Sequence, residues 1–294
     1  MAQSERFERA IGIAIEDTWG QAPATPTITW VEADGQLKTE REDEPADPAL
    51  GIYDELHIVP HGSKVTGTLR IKIGPGRESV LVDLLSRVSG SKRYLKSATV
   101  WENYDQENNL AFQSVGVCVN RATLNTEKGG ELIAELECIG KQRSLVTWQT
   151  MTVAQIPEYA YTFEELLVTF NGQYVVSAQA AQITIDHKLR DDRYGADRTG
   201  LLRHLPSQGR SVRIRVPREF DDNTFHTAFE NRSEGTLVID WRRTVGTTTY
   251  YLTATMNRVV VLSCDPEDED QPIELAALAP APDQEAIVWS HGTA

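Results

Sequence analysis

Long apolar runs are missing from this 294-residue chain. Stretches such as residues 259–262 fall far short of the ~20 residues that a membrane-spanning helix needs. The first nine residues mix charge with polar groups and contain no secretory core, so the expected setting is the cytoplasm. Cysteine is scarce: Cys118, Cys138 and Cys264 make no even disulfide framework. Cys118 and Cys138 flank the turn at Lys128-Gly129-Gly130, and are expected to lie close across a hairpin as reduced, buried thiols. Basic charge is outnumbered as well. With 29 Lys and Arg against 43 Asp and Glu the net charge is −14, shared between residues 1–150 (−6) and 151–294 (−8). A nucleic-acid binder presents a basic face, which neither half supplies. The apolar fraction of 40% is still that of an ordinary globular protein, which argues against wholesale disorder.

Catalytic motifs are lacking too. The chain has no Gly-x-Ser-x-Gly elbow, no phosphate-cradling glycine loop and no His-Glu-x-x-His helix. His57 and His61 stand four apart, but proline and glycine interrupt the stretch and no third ligand is near; His187, His204, His226 and His291 are scattered. Asp265-Pro266-Glu267-Asp268-Glu269-Asp270 lacks the alternating oxygen ligands and central glycine of a calcium loop, and reads as a solvated loop tip. Asn231-Arg232-Ser233 is a glycosylation sequon in form alone. No catalytic, cofactor-binding or metal-ligating residue is therefore assigned, and no cofactor is expected.

What the chain does contain is an echo. Val119-Asn120-Arg121-Ala122-Thr123-Leu124 sits between two strand-like runs, and Met256-Asn257-Arg258-Val259-Val260-Val261-Leu262 sits between two more. The flanking order agrees. An alternating strand opens each block, at residues 64–73 and 210–216, and a helix-like stripe follows: Leu81, Leu84, Leu85 and Val88, then Phe225, Ala228 and Phe229. Next come strands ending in Trp101 and Trp241, the Asn-Arg strands, and strands at residues 131–138 and 273–278. A repeat with the period of a domain predicts two copies of one small β fold.

Residues 28–31 and 182–186 open the two copies, and a long polar excursion follows each, over residues 32–55 and 187–203. Loops of ~15 or more residues are uncommon in compact domains unless they serve a purpose. Thr162-Phe163-Glu164-Glu165 reads as a capping box in the linker region. The expected organisation is an arm at 1–27, a first domain at 28–150 and a second at 151–294. In the arm, Phe7, Ile11 and Ile15 fall at helical spacing before Pro23 and Pro26. A short helix docking on a neighbour and a locally packed N-terminus both fit.

Residues 114–141, from Ser114-Val115-Gly116-Val117-Cys118-Val119-Asn120-Arg121 through Lys128-Gly129-Gly130 to Ile139-Gly140-Lys141, resemble the major tail tube proteins of long-tailed bacteriophages. That family shows a G-x-x-V-N-x-x-x-L strand, a glycine turn and a second alternating strand ending in Gly-Lys; Val100-Trp101-Glu102-Asn103-Tyr104 fits as well. The resemblance implies a mainly β chain with two tandem tube-type β-sandwich or barrel domains, each with one short helix and a long extension. It implies self-association into stacked rings, with a β-barrel lining a channel for the tape measure protein and genomic DNA, in a virion tail assembled in the host cytoplasm. Single-fold relatives form rings of six, so two folds per chain imply a trimer, with a hexamer of whole chains as the other possibility. Extensions carrying Lys38, Glu40, Arg41, Glu42 and Asp43, and Arg190, Asp191, Asp192 and Arg193, would contact the next ring. Carboxylates at Glu131, Glu135, Glu137, Asp240 and Glu274 are candidates for an electronegative lumen that denies DNA phosphates a foothold. Tail-end ring proteins would be partners, with no membrane involved. The rival readings are another tail ring component (terminator or distal tail protein) and a β-sandwich carbohydrate-binding or hydrolytic module.

Overall fold

Alternation of apolar and polar residues makes a strand with one dry and one wet face, and this chain uses it throughout. A computed structural model describes residues 10–45, 58–105, 107–150, 159–194, 200–219, 223–264, 270–281 and 284–294. The elements are β1 (Ala10–Ile15), β2 (Thr29–Pro45), β3 (Ile58–Lys72), α1 (Glu78–Leu85), β4 (Ala98–Asp105), β5 (Leu110–Glu127), β6 (Ile133–Gly140) and β7 (Gln142–Thr147). After them come β8 (Leu166–Phe170), β9 (Gln173–Tyr174), β10 (Ala180–Asp186), β11 (Ser211–Glu219), α2 (Thr224–Glu230), β12 (Glu234–Val245), β13 (Thr248–Ser263), β14 (Asp270–Ala277) and β15 (Val288–Thr293). The fold is mainly β, a large antiparallel sheet whose central run is β2-β3-β6-β5-β10-β11-β14-β13.

That run contains one pattern twice. In each half the strand order is the same, β2-β3-β6-β5 and then β10-β11-β14-β13. In each half a helix precedes the Trp strand (β4 or β12), which pairs with the Asn-Arg strand (β5 or β13), and the last strand (β7 or β15) pairs with it too. One difference stands out: β1 pairs with both β2 and β4, whereas β8 pairs with β12 and β9. The halves are joined edge to edge, β5 to β10, from Arg121 opposite Asp186 to Glu127 opposite Ala180. The sheet therefore runs unbroken past residue 150.

Inward residues of both halves share one apolar core, in which Leu69, Leu136, Leu124, Ile183, Ile214 and Leu275 are all buried. α1 adds Val80, Leu81, Leu84 and Leu85; α2 adds Phe225 and Ala228, with Phe225 tilted against Phe170 at 4.5 Å between ring centroids. Val88 and Phe229, the outer members of the two predicted stripes, are partly exposed. Trp101 and Trp241 are both buried, and the Trp241 indole donates to Thr126 Oγ1 at 3.0 Å. The capping box at Thr162 and Glu165 is formed.

Two expectations are corrected. The N-terminal arm carries no helix at Ile11 and Ile15: these residues lie in β1, hydrogen-bonded between β2 and β4. A spacing of four is even, so it keeps two side chains on one face of a strand as well as of a helix. Phe7 lies outside the described residues. The first excursion is also no loop over residues 32–45, which continue β2 and pair with β3 as far as Pro45 opposite Ile58. Its tip, residues 46–57, falls outside the described residues. Gly35 makes the hairpin possible, because at φ +109° a Cβ would stand 2.1 Å from the Thr68 carbonyl oxygen.

Candidate functional site

With no catalytic constellation in the sequence, the candidate site is the sheet itself: its wet face, its extensions and its edges. Neighbouring outward residues form rows across the central run. One row passes from Asp34 through Arg70 and Glu135 to Thr123, and the next from Gln36 through Thr68 and Glu137 to Arg121 and Asp186. Opposite charges meet along them. Arg70 stands opposite Asp34 and Glu135, Arg121 opposite Glu137 and Asp186, and Arg215 opposite Glu274. Such cross-strand pairs favour the register that makes them.

The five carboxylate candidates separate on this map. Glu135, Glu137 and Glu274 are exposed on the wet face. Glu131 precedes β6 and shares the Lys72 ammonium with Glu32, at 3.4 and 2.5 Å; the hydrogen bond that Lys72 donates to Glu32 leads in holding that ammonium's pKa above its usual range. Asp240 lies on β12, apart from these rows, 8% exposed, accepting the Thr253 hydroxyl and pairing with Arg242 at 3.2 Å.

The extension residues come together in part. Lys38, Glu40 and Arg41 are exposed along β2, with Glu40 accepting from Thr66 Oγ1 at 3.3 Å. Glu42 and Asp43 belong to β2, but their side chains lie outside the described residues. The second excursion leans on the first hairpin. Asp191 binds Lys64 Nζ at 2.6 Å, and the Ser63 amide donates to Gly200 O at 2.9 Å. Arg190 pairs with Asp192, which also stands 4.0 Å from Arg193. Where the hairpin passes β7, an open groove of about 450 Å³ is lined by Thr39, Arg41, Ser63, Lys141, Gln142, Arg143 and Leu201. That lining brings no histidine or carboxylate to Ser63.

The seam between β5 and β10 is a feature that sequence reasoning missed. Asn120 sits at a bulge in β5, between Val119 and Arg121. Its main-chain oxygen accepts the His187 amide at 2.8 Å and its Oδ1 accepts the Leu189 amide at 2.9 Å. The Asn-Arg echo was the available signal, since the first asparagine of the pair is the residue that fastens the incoming strand. His187 itself is 1% exposed, and neither ring nitrogen has a hydrogen-bond partner among the described residues. Burial, reinforced by Arg210 and Arg87, pushes its pKa down to about 3. Cys118 and Cys138 are one register step apart, opposite Ile139 and Val119, and belong to different apolar clusters; both are buried and free, and burial pushes the Cys118 thiol up to about 12.

Among the described residues no group of three or more His, Cys, Asp or Glu is placed to hold a metal ion, and no helix is long and apolar enough to cross a membrane. The sequence model of one family, described as "Phage tail tube protein", matches residues 7–284. A search of curated proteins finds no match.

Proposed function

The chain belongs to the phage tail tube protein family, and from that premise we propose that three copies close each ring of a tail channel and that rings stack into the tube. The observation that carries this reading is the seam: two runs of the same strand order, β2-β3-β6-β5 and β10-β11-β14-β13, joined edge to edge through β5 and β10. An unpaired sheet edge invites another strand, and among the described residues 33–41 of β2 pair with β3 alone. Repeating the seam from chain to chain adds half-chains by one rotation. With six tube folds to a ring, as in single-fold members, two per chain close it at three.

In this reading the wet face lines the channel. Glu135, Glu137 and Glu274 then face passing DNA, while Arg70, Arg121 and Arg215 stand opposite carboxylates and offer phosphates less of a foothold. The β2–β3 hairpin, with Lys38, Glu40 and Arg41, reaches toward the next ring, braced through Asp191 by the second extension. The tape measure protein and DNA pass through without specific binding, tail-end ring proteins cap the tube, and the protein works as a structural part of the virion tail after assembly in the host cytoplasm. The subunit has no catalytic step in this role.

Electron microscopy of concentrated protein, with light-scattering mass, tests this directly. Rings of three chains and tubes built from them are expected. Protein that stays monomeric at every concentration sinks the reading, and rings of six whole chains would keep the tube but discard the trimer.

A further inference from the structure

Asn120 and Asn257 are the two halves of one echo, yet among the described residues of the single chain Asn120 alone of the two holds a strand through its side chain. Its carbonyl and side-chain oxygens take the amides of His187 and Leu189. Asn257 is exposed, with no partner for its side chain among the described residues.

Register says which strand would fit there. Ile185 of β10 stands opposite Val212 as Gly35 of β2 stands opposite Leu69. Val212 and Leu69 stand opposite Ala277 and Leu136, which in turn stand opposite Val259 and Ala122. Counting along these pairings makes Leu37 the counterpart of His187, and Thr39 the counterpart of Leu189. Leu37 and His187 are alike in being fully buried.

Both prospective edges are meanwhile covered by groups of the same chain. The Leu37 amide donates to Glu102 Oε1 at 3.1 Å and the Gly35 amide to Asp34 Oδ1 at 2.8 Å. On β13, Gly235 and Glu234 pair with Val259 and Val260, and Glu234 holds Arg258 at 2.6 Å. The first half shows that edge vacated. There the segment before β4 turns away, with Tyr94 bridging Pro206 and Leu95 bridging Arg87, and Ala122 and Thr123 are left to β10.

We infer that Asn257 is the docking residue of the seam between chains: it accepts the Leu37 and Thr39 amides of a second copy of this chain. β2 of that copy lies along β13 with Gln36 opposite Arg258 and Asp34 opposite Val260, once Glu234 and Gly235 leave the β13 edge and the Leu37 and Gly35 amides release Glu102 and Asp34. This rests on the ring reading and deepens it. The occupant is a second copy because the chain already contains the same joint between its own halves, and because the strand that would fit is its own β2.

Two experiments test it. In this register Gly35 and Leu37 carry the donors, so Gln36 and Arg258 form a pair without main-chain hydrogen bonds, the kind whose side chains come closest. A chain carrying Gln36→Cys and Arg258→Cys, oxidised after assembly, should yield a covalent three-chain species, and neither single variant should. Asn257→Ala removes an exposed side chain, so Tm should hold while the concentration needed for rings rises about two- to tenfold, the scale of one lost hydrogen bond. Asn257→Ala assembling like the parent, or rings that form without the cross-link, overturns this seam and leaves the ring standing. A parent chain that forms no rings overturns both.

Discussion

His187 and Leu37 occupy the same place in the two halves, and only one of them can take a proton. Burial beside Arg210 and Arg87 keeps the His187 imidazole neutral, with its pKa lowered to about 3. The sign follows from where the proton goes. Below an unfolded pKa of about 6.5 the unfolded chain binds a proton that the folded chain refuses, so this residue's share of stability is complete above that pH. It falls by about 1.4 kcal/mol per pH unit on the way down, and the loss is complete below about pH 3. Replacing His187 by the residue its counterpart uses removes the penalty and keeps the main-chain bond to Asn120. His187→Leu is expected to match the parent near pH 7 and to exceed it progressively between pH 6 and 4, read from urea midpoints at each pH. Equal acid sensitivity in both chains would show that His187 is not the group responsible. Residue-scale chemistry of this kind was mostly illegible in the sequence, where His187 is one of four scattered histidines. Asn120 was visible as half of an echo, but its task depends on β10 arriving from 60 residues on, which no local pattern encodes.

Elements were legible where one face is wet. β3, β6, β11 and β13 alternate in sequence and alternate in burial, because polar residues mark the solvent side. β1 shows the opposite case. Ala10-Ile11-Gly12-Ile13-Ala14-Ile15 has a strand on each edge and the core against it, so no polar alternation survives to announce it, and its even spacing imitates a helical stripe. Gly12 marks where β1 is tightest. A Cβ there would meet Ile28 Cγ2 at 2.7 Å and the Trp30 ring at 3.1 Å. Gly12→Ala is therefore expected to cost about 1–3 kcal/mol through overpacking, seen as a lower urea midpoint with an unchanged denaturant slope. Unchanged stability would mean that β1 does not pack as closely as its neighbours require. Glu16, just past the strand, fixes the same corner: its carboxylate accepts from Ser97, Thr99, Gly116 and Gly20 at 2.7–2.8 Å.

At the scale of the whole molecule, the β2–β3 hairpin outruns the sheet that supports it. Pairing of β3 with β6 stops at Val65 opposite Gly140, while β2 and β3 continue together to Pro45 and Ile58. A two-stranded ribbon is marginal on its own in water, so its far end needs a surface to meet. Its base is held within the chain by Lys64 on Asp191 and by the Ser63 amide on Gly200. Base and far end can therefore be separated by cutting at Arg41 opposite Ser63. Replacing residues 42–62 with an Asn-Gly turn, which closes an antiparallel pair in two residues, leaves the β2 edge proposed for docking, Asp34 to Thr39, in place. If the hairpin serves stacking, the shortened chain should form single rings of normal symmetry that fail to build tubes, as judged by electron microscopy alongside the parent. Lateral closure and axial stacking would then be distinct interfaces, one read from strand register and the other from a ribbon that runs on past the end of β6. Full-length tubes from the shortened chain would place the axial contact elsewhere on the ring.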